Sequence, residues 1–298
     1  MKTKIQILLT LSLSSLFFLQ CSKERIEEKQ QINDYEPINN YFDDKKQQEQ
    51  EFVIDTNGQG PIIGNQGTKI WAIKSNLMYP NGDSVYFPFT VKLVELYTPK
   101  DMIYYQMPTV ASGILLTTGG EIRIRAFKNG QELMLRPNKT WAVEMPSTTP
   151  LNGMKIHYGV ESSGIVNWVQ NPNEDFTVTS YGYLGLISRL GWIGCGKQAV
   201  TTGTNFTNYT FSSATDNLQN VATFMYFPNL KSLMQVYNQT SGIAPVDDTV
   251  KIVMMGINNQ QQLYYYYLKT TVSTVNNHLN ISLSPISDAA MTALLDSL

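Results

Sequence analysis

Histidine and cysteine are scarce in this 298-residue sequence, which has two of each. His157 and His278 are far apart, and Cys21 and Cys195 do not form the closely spaced pairs of a zinc site. A G-x-S-x-G nucleophile elbow, a P-loop and a zinc-protease helix motif are also missing. We therefore predict no metal site, no cofactor and no catalytic activity.

Charge is sparse as well. Charged residues make up 15% of the chain, and the formal net charge is −2. Beyond residue 51, lysine and arginine do not cluster, whereas phosphate binding needs grouped basic side chains. We therefore predict that nucleic acid is not a partner.

The apolar run near the start is too short to cross a membrane. It covers Ile5–Leu19 and follows two lysines, Lys2 and Lys4, whereas a membrane-spanning helix needs roughly 20 apolar residues. A short basic segment followed by such a run is typical of a signal peptide, here residues 1–20. An uncleaved single-pass anchor is the alternative.

The stretch "SLFFLQCSKERIEEK" (15–29) places Cys21 where the apolar run ends. It resembles the lipobox of bacterial lipoproteins, with Gln20 where that pattern has Gly, Ala or Ser. The resemblance implies cleavage before Cys21 and acylation of its sulfur and amine. Ordinary secretion, with Cys21 near the cut, is the alternative. Two or more acyl chains hold a protein stably on a membrane.

The residues after Cys21 bear on location. Ser22 is not the Asp that retains lipoproteins at the inner membrane, which implies sorting to the outer membrane. The acidic cluster Glu24, Glu27 and Glu28 resembles surface-export signals. We expect a lipid-anchored outer-membrane protein that faces the periplasm or the cell surface.

Residues 22–51 carry 14 charged side chains and few apolar ones. Such a segment buries too little surface to offset the entropy of ordering. We therefore predict that residues 21–51 are a lipidated cysteine and a disordered tether, spanning roughly 30 Å if flexible.

The rest of the chain alternates apolar and polar residues with the period of β-strands. In residues 52–150 the clearest segments are "TKIWAI" (68–73), "SVYFPFTVKLVEL" (84–96), "GEIRIRAF" (120–127), "ELMLR" (132–136) and "TWAVEM" (140–145). Asn129-Gly130 and the "YPNGD" stretch (79–83) supply turns. This pattern predicts an antiparallel β-sandwich.

The stretch "MPSTTPLNG" (145–153) breaks the alternation, and we place a domain boundary there. Residues 151–298 are again β-rich and end in a helical pattern, "SDAAMTALLDSL" (287–298), whose apolar residues fall on one face. The predicted fold is mainly β: two antiparallel β-sandwich-like domains in tandem, 52–150 and 151–298, with a short C-terminal helix.

Three segments carry a family resemblance: "ELYTPKDMIYYQMPTVASGILLTTGGEIRIRAFKNGQELML" (95–135), "MKIHYGVESSGIVNWVQN" (154–171) and "LISRLGWIGCGK" (186–197). They resemble a family of bacterial surface lipoproteins of unassigned function. More distantly, residues 68–145 look like the ZU β-sandwich of zonula-occludens proteins, ankyrins and netrin receptors, which implies an interaction module. The self-cleaving His-Phe-Ser sequence of some ZU domains is His157-Tyr158-Gly159 here, without the attacking hydroxyl.

Two kinds of side chain could form a ligand site. Glu174 and Asp175 lie in a turn-rich stretch, as do Asp247 and Asp248, and calcium is an alternative use of these oxygens. The run Tyr264, Tyr265, Tyr266 and Tyr267 alternates across a strand, so one pair could stack on a sugar or a partner. The alternative is that both pairs pack against neighbouring strands. Trp168 and Trp192 are expected in the core.

Two further features have an ordinary and a functional interpretation. Cys195, between Gly194 and Gly196, is either a nucleophile paired with a histidine or a small buried residue, and we favour burial. The "TTGG" stretch (117–120) is either an anion-binding nest or a turn, and we favour a turn.

Our first hypothesis is a membrane-anchored envelope lipoprotein that acts as a non-catalytic binding or assembly module for an envelope protein or glycan. A glycan-binding surface protein, using Tyr264–Tyr267 or a loop carboxylate pair, is the first alternative. The second is a carboxylate-dependent hydrolase, because two converging acids can cleave glycosides without histidine.

Overall fold

The computed structural model describes residues 32–58, 60–162 and 165–298. The predicted signal peptide, Cys21 and the first part of the expected tether lie outside these residues. Asn33–Leu298 form one compact unit. It is mainly β and antiparallel, with a short C-terminal helix, as the sequence predicted.

Helices are few and short in the described residues. They are α1 (Asn39–Lys45), α2 (Pro99–Tyr104) and α3 (Asp288–Asp296), with 3-10 turns at Lys74–Asn76 and Leu218–Asn220. The strands up to residue 146 are β1 (Gln50–Ile54), β2 (Ile62–Ile63), β3 (Lys69–Trp71), β4 (Leu77–Met78), β5 (Phe89–Leu96), β6 (Val110–Ala111), β7 (Ile114–Lys128), β8 (Gln131–Glu132), β9 (Met134–Leu135) and β10 (Trp141–Pro146).

Thirteen further strands follow. They are β11 (Lys155–Ser162), β12 (Ile165–Val178), β13 (Gly182–Ile187), β14 (Gly191–Gln198), β15 (Phe206–Thr207), β16 (Thr210–Ser212), β17 (Ala222–Phe227), β18 (Ser232–Val236), β19 (Ala244–Pro245), β20 (Thr249–Ile257), β21 (Leu263–Thr271), β22 (His278–Asn280) and β23 (Ser284–Ile286).

A sheet of 12 strands forms a sandwich because β12 is shared between its two halves. The strand order is β1-β5-β7-β14-β11-β12-β13-β10-β3-β2, and β6 and β8 pair with β7. The first part of β12 pairs with β11, whereas Phe176–Val178 pair with β13. Apolar residues from both halves pack together, among them Val91, Ile124, Trp141 and Ile193.

A second sheet of five strands, in the order β18-β17-β20-β21-β23, covers the outside of the sandwich. Val94, Trp168 and Trp192 of the first half pack with Phe224 and Val253 of this sheet, and residues of all three helices join them. The opposite face of the five-stranded sheet carries another apolar cluster with residues of β16 and β22. The molecule is therefore layered, with the five-stranded sheet buried on both faces.

The expected domain boundary does not separate two sheets. Strand β10 ends at Pro146 and pairs with β13, and β7 pairs with β14. The residues between 145 and 153 do form an irregular connection, but the strands on both sides hydrogen-bond to one another. The sandwich thus continues to Gln198, and the second sheet begins at Ala222.

Part of the expected disordered tether is folded. Tyr35, Ile38 and Phe42 are buried, and the Tyr35 hydroxyl donates to Asp216 Oδ1 at 2.6 Å. The disorder prediction rested on the high charge of residues 22–51 and gave too little weight to these apolar residues. Ile38 and Phe42 fall on one side of α1. Of the residues predicted to be free, those from Asn33 onward belong to the compact unit.

Local signals in the sequence are confirmed. Asn129 and Gly130 both have left-handed backbones, with φ of 53° and 78°, at the tight turn between β7 and β8. Ser287 caps α3 by accepting a hydrogen bond from the Ala290 amide, and Met291 and Leu295 are buried. The C-terminal helix therefore covers a sheet as predicted.

We expect Phe42→Ala to lower the free energy of unfolding by about 3–5 kcal/mol, because it empties a packed site. The Phe42 ring is 1% exposed and contacts Tyr104 and Phe224. Denaturant unfolding measures the change, and Asn40→Ala on the exposed side of α1 is the matched control. Equal stability of the two variants would show that this segment is free in solution.

Candidate functional site

The run of four tyrosines packs on both faces of β21. Tyr264 and Tyr266 contact the apolar cluster on one face of the five-stranded sheet, and Tyr265 and Tyr267 contact the cluster on the other. All four are half-buried. The predicted alternation is correct, and the structure places each pair in cross-strand packing.

The predicted loop carboxylates are already engaged within the fold. Glu174 accepts a short hydrogen bond from the Tyr158 hydroxyl, and Asp175 accepts from Lys155 Nζ at 2.7 Å. They lie at the bent part of β12 rather than in a free loop. Asp248 is buried and accepts from the Thr202 hydroxyl at 2.7 Å. In the described ranges, no three His, Cys, Asp or Glu side chains converge as a metal-ligand set.

Cys195 is packed, as the sequence analysis favoured, and His157 is also buried. Cys195 is 0% exposed and belongs to the core of the sandwich. His157 pairs with Gly194 across the strands, so its side chain lies on the opposite face from Cys195. Burial raises the pKa of the Cys195 thiol, which opposes formation of the nucleophilic thiolate.

His278 makes two hydroxyl contacts at the surface. Thr210 Oγ1 lies 2.8 Å from its Nδ1, and Ser212 Oγ lies 3.1 Å from its Nε2. A hydroxyl on Nδ1 cannot stabilise an imidazolium as the carboxylate of a catalytic triad does. The ring is also exposed. This set is consistent with a surface hydrogen-bond ladder.

A cleft of about 750 Å³ lies beside the sandwich where it meets the turn between β17 and β18. We call it the tyrosine cleft. The residues that line it include Tyr97, Tyr181, Tyr183, Tyr226, Thr118–Gly120, Ser147–Thr149, Ser180 and Lys231. Its volume is that of an ordinary small-molecule or oligomer site.

A buried carboxylate fixes one wall of the tyrosine cleft. Glu95 is 0% exposed and accepts from the amides of Gln66 and Thr68, at 2.8 and 2.9 Å, and from Gln50 Nε2 at 2.9 Å. These bonds hold residues 64–68 against β5. Gln66 itself lines the cleft.

The tyrosine hydroxyls bind back into the protein. Tyr97 Oη lies 2.7 Å from Thr68 Oγ1, and the Tyr181 hydroxyl donates to the Gly67 carbonyl at 2.6 Å. Lys69 Nζ lies 3.3 Å from the centroid of the Tyr181 ring, a cation–π contact that restrains it further. The rings are therefore held in place before any ligand arrives.

A β-bulge forms the floor of the cleft. Cys195 pairs with Gly120 and Gly196 with Thr118, which leaves Gly119 as the extra residue. Gly120 has φ of 120°, and a Cβ there would lie 2.3 Å from the Tyr97 ring. The "TTGG" stretch is thus part of β7 rather than a turn. Two glycines are needed because a strained backbone and an aromatic ring meet here.

A second buried glutamate, Glu121, lies in β7 next to the bulge. Glu121 is 2% exposed, and its Oε2 has no hydrogen-bond partner among the described residues. Glu121 and His157 both pair with Gly194, so they flank that glycine on one face and line a small cavity with Trp168. Burial raises the pKa of Glu121 well above its ordinary value and lowers that of His157. Both shifts favour the uncharged form.

The cleft tyrosines escaped sequence reasoning because they are far apart in the chain. Consecutive tyrosines drew attention to β21, whereas the cleft takes its four rings from three separate segments, around residues 97, 181–183 and 226. A double glycine inside an alternating strand pattern was the available signal, since it marks a close approach of backbone and another group.

None of the helices in residues 32–58, 60–162 and 165–298 combines the length and apolar character needed to cross a membrane. Comparison with known proteins adds no relative. No protein-family model, no curated protein and no solved structure matches the chain. The resemblances to surface lipoproteins and to the ZU domain stay predictions.

We expect Glu121→Gln to flatten part of the pH dependence of stability. Because the folded-state pKa is raised, the stabilisation from protonated Glu121 is complete below the unfolded pKa of about 4.5 and is lost as pH rises through the folded value. Relative to the variant, the wild type should lose up to about 1.4 kcal/mol per pH unit in that window.

Denaturant titrations of both proteins from pH 4.5 to 8.5 measure this difference. His157 faces the same cavity as Glu121, and Cys195 is buried on the opposite face; both are present in the two proteins, so their contributions largely cancel. Parallel stability curves for the two proteins would mean that Glu121 is ionised in the folded state.

Proposed function

We propose that this protein is a membrane-anchored envelope lipoprotein whose folded body is a non-catalytic binding module. The observation that carries the proposal is the tyrosine cleft, a preformed site whose rings are restrained by internal hydrogen bonds. Preorganised aromatic surface lowers the entropic cost of binding.

The anchor is the lipidated Cys21 inferred from the sequence. Since the compact unit begins at Asn33, the segment from Cys21 to Asn33 can span at most about 40 Å when fully extended. The folded body would therefore stay close to the membrane that holds the anchor. The proposed location is the outer-membrane surface, on the periplasmic or external side, with an envelope protein or glycan as partner.

Binding is favoured over the hydrolase alternative by the side chains of the cleft. Its described lining contains aromatic and aliphatic side chains, hydroxyls, one amide and one lysine but no carboxylate, and glycoside cleavage needs two converging acids. Glu174 and Asp175 are each bound to a different neighbour. The glycan-binding alternative remains compatible with aromatic rings that can stack on sugars.

We expect Cys21→Ser to abolish acylation and to remove the protein from the outer-membrane fraction, because the sulfur that carries the lipid is absent. Mass spectrometry of the N-terminal peptide and membrane fractionation measure the two effects. Cys195→Ser, which leaves the N-terminus intact, is the control for loss of a thiol. An unmodified N-terminal peptide in the wild type would refute the anchor.

We expect Thr148→Trp to block the tyrosine cleft and to reduce capture of envelope components by the tethered protein at least severalfold. Thr148 is exposed in a connecting loop, so the indole can enter the cleft without disturbing the core. Cross-linking in the native envelope followed by quantitative identification measures capture.

Thr274→Trp in an exposed loop that does not line the cleft is the matched control. The same captured components at the same yield from both variants would show that the cleft is not the binding site.

A further inference from the structure

The chemical character of the tyrosine cleft narrows the class of its ligand. We propose that the cleft binds a saccharide chain that carries carboxylates, with the sugar rings on the tyrosines and an acid group at Lys231. This inference rests on the proposed function, because it names the ligand of the same site.

Tyr97 and Tyr181 offer ring surface rather than hydroxyls, whereas Tyr183 is 2% exposed and serves as a buried support of the wall. Tyr97 and Tyr181 use their hydroxyls on Thr68 and Gly67, so what faces a ligand is mainly aromatic carbon. Tyr226 is half-buried in the opposite wall, and burial raises the pKa of its phenol. Flat, neutral rings on two walls suit the C–H faces of pyranose rings.

The rim supplies hydroxyls that are free to bind. Ser147, Thr148, Thr149 and Ser180 line the cleft, and within the described part of the chain no intramolecular hydrogen bond engages their side chains. Saccharides present many hydroxyl groups, each able to donate and accept, and serine and threonine hydroxyls do the same. Rings and free hydroxyls therefore line the same cavity.

Lys231 gives the cleft its charge. It is exposed at the turn between β17 and β18, with a left-handed φ of 49°, and its carbonyl accepts from the Thr118 amide at 3.1 Å. That bond fixes the turn beside the bulge. The described lining contains no carboxylate, so a ligand anion there meets one cation and no repelling acid.

An extended peptide fits these groups less well. Peptides that add to a sheet edge need free backbone donors and acceptors, and here the amides of Thr118 and Ser147 already donate to Lys231 and Tyr181 carbonyls. The polar groups left to a ligand are mainly side-chain hydroxyls, beside ring faces and a few aliphatic side chains. These suit a saccharide better than a peptide backbone.

The test measures binding of hexagalacturonate and of uncharged maltohexaose to the full-length lipoprotein in detergent, by calorimetry at low and physiological salt. We expect hexagalacturonate to bind more tightly, with affinity that falls as salt rises. Lys231→Gln should weaken its binding about fivefold and reduce the salt dependence. Tyr226→Ala should weaken it about tenfold.

Lys139→Gln and Tyr86→Ala change exposed residues away from the cleft and should bind as the wild type does. Because Lys231 is exposed, its variant stays informative if Tyr226→Ala is unstable. Equal binding of both saccharides with no effect of Lys231→Gln would overturn the acidic-ligand inference. Binding of neither saccharide, or of an acidic peptide instead, would overturn the saccharide inference.

Saccharide binding tests the ligand class, and the Thr148→Trp variant tests whether the cleft is the binding site. If neither saccharide binds while Thr148→Trp still reduces envelope capture severalfold, the ligand class is wrong and the proposed binding function stands. If Thr148→Trp leaves capture unchanged, the cleft itself is wrong, whatever the saccharide result.

Discussion

The packing of the molecule depends on one sheet that is apolar on both faces. Along β5, Phe89–Leu93 alternate between buried and half-buried positions, and then four consecutive residues from Leu93 to Leu96 are buried. One side packs inside the sandwich, and the other side must be kept from water by something else. The five-stranded sheet and the three helices meet that need, so the layers cannot be separated without exposing a large apolar surface.

The same constraint explains the two buried glutamates. Where both faces of a sheet are covered, any acid on it must be hydrogen-bonded or neutral. Glu95 takes the first course by accepting amide hydrogen bonds from residues 64–68, and this fixes a wall of the tyrosine cleft. Glu121 takes the second, with an unpartnered oxygen in a small cavity beside His157. One acid organises a loop, and the other couples stability to pH.

The cleft lies where the sandwich and the second sheet meet, and its rigidity comes from both. Bonds from Tyr97 and Tyr181 to residues 67 and 68 set the rings, and the bond from Thr118 to the Lys231 carbonyl sets the opposite wall. In the proposed tethered binding module, the tether would raise the local concentration of partners, and the rigid site would limit the entropy lost on contact.

Sequence reasoning succeeded where the signal was local. Period-two alternation predicted β5, β10 and the second half of β7, the Asn129-Gly130 dipeptide predicted a hairpin turn, and the helical pattern of residues 287–298 predicted α3, which Ser287 caps. It failed where distant segments decide. Apolar residues of α1 were outweighed by their charged neighbours, and the loop at residues 145–153 was mistaken for a domain boundary because strand partners are not written in a strand's own sequence.

By itself, the sequence determined that the chain is mainly β, where its tight turns fall and that an early apolar run ends at a single cysteine, since each of these depends on neighbours a few residues apart. Only the tertiary structure decided that four scattered tyrosines share a cleft, that Glu95 is satisfied and that Glu121 is not. Those outcomes depend on strand register and on which layer covers which face, because burial and hydrogen bonding are properties of the contacts between segments.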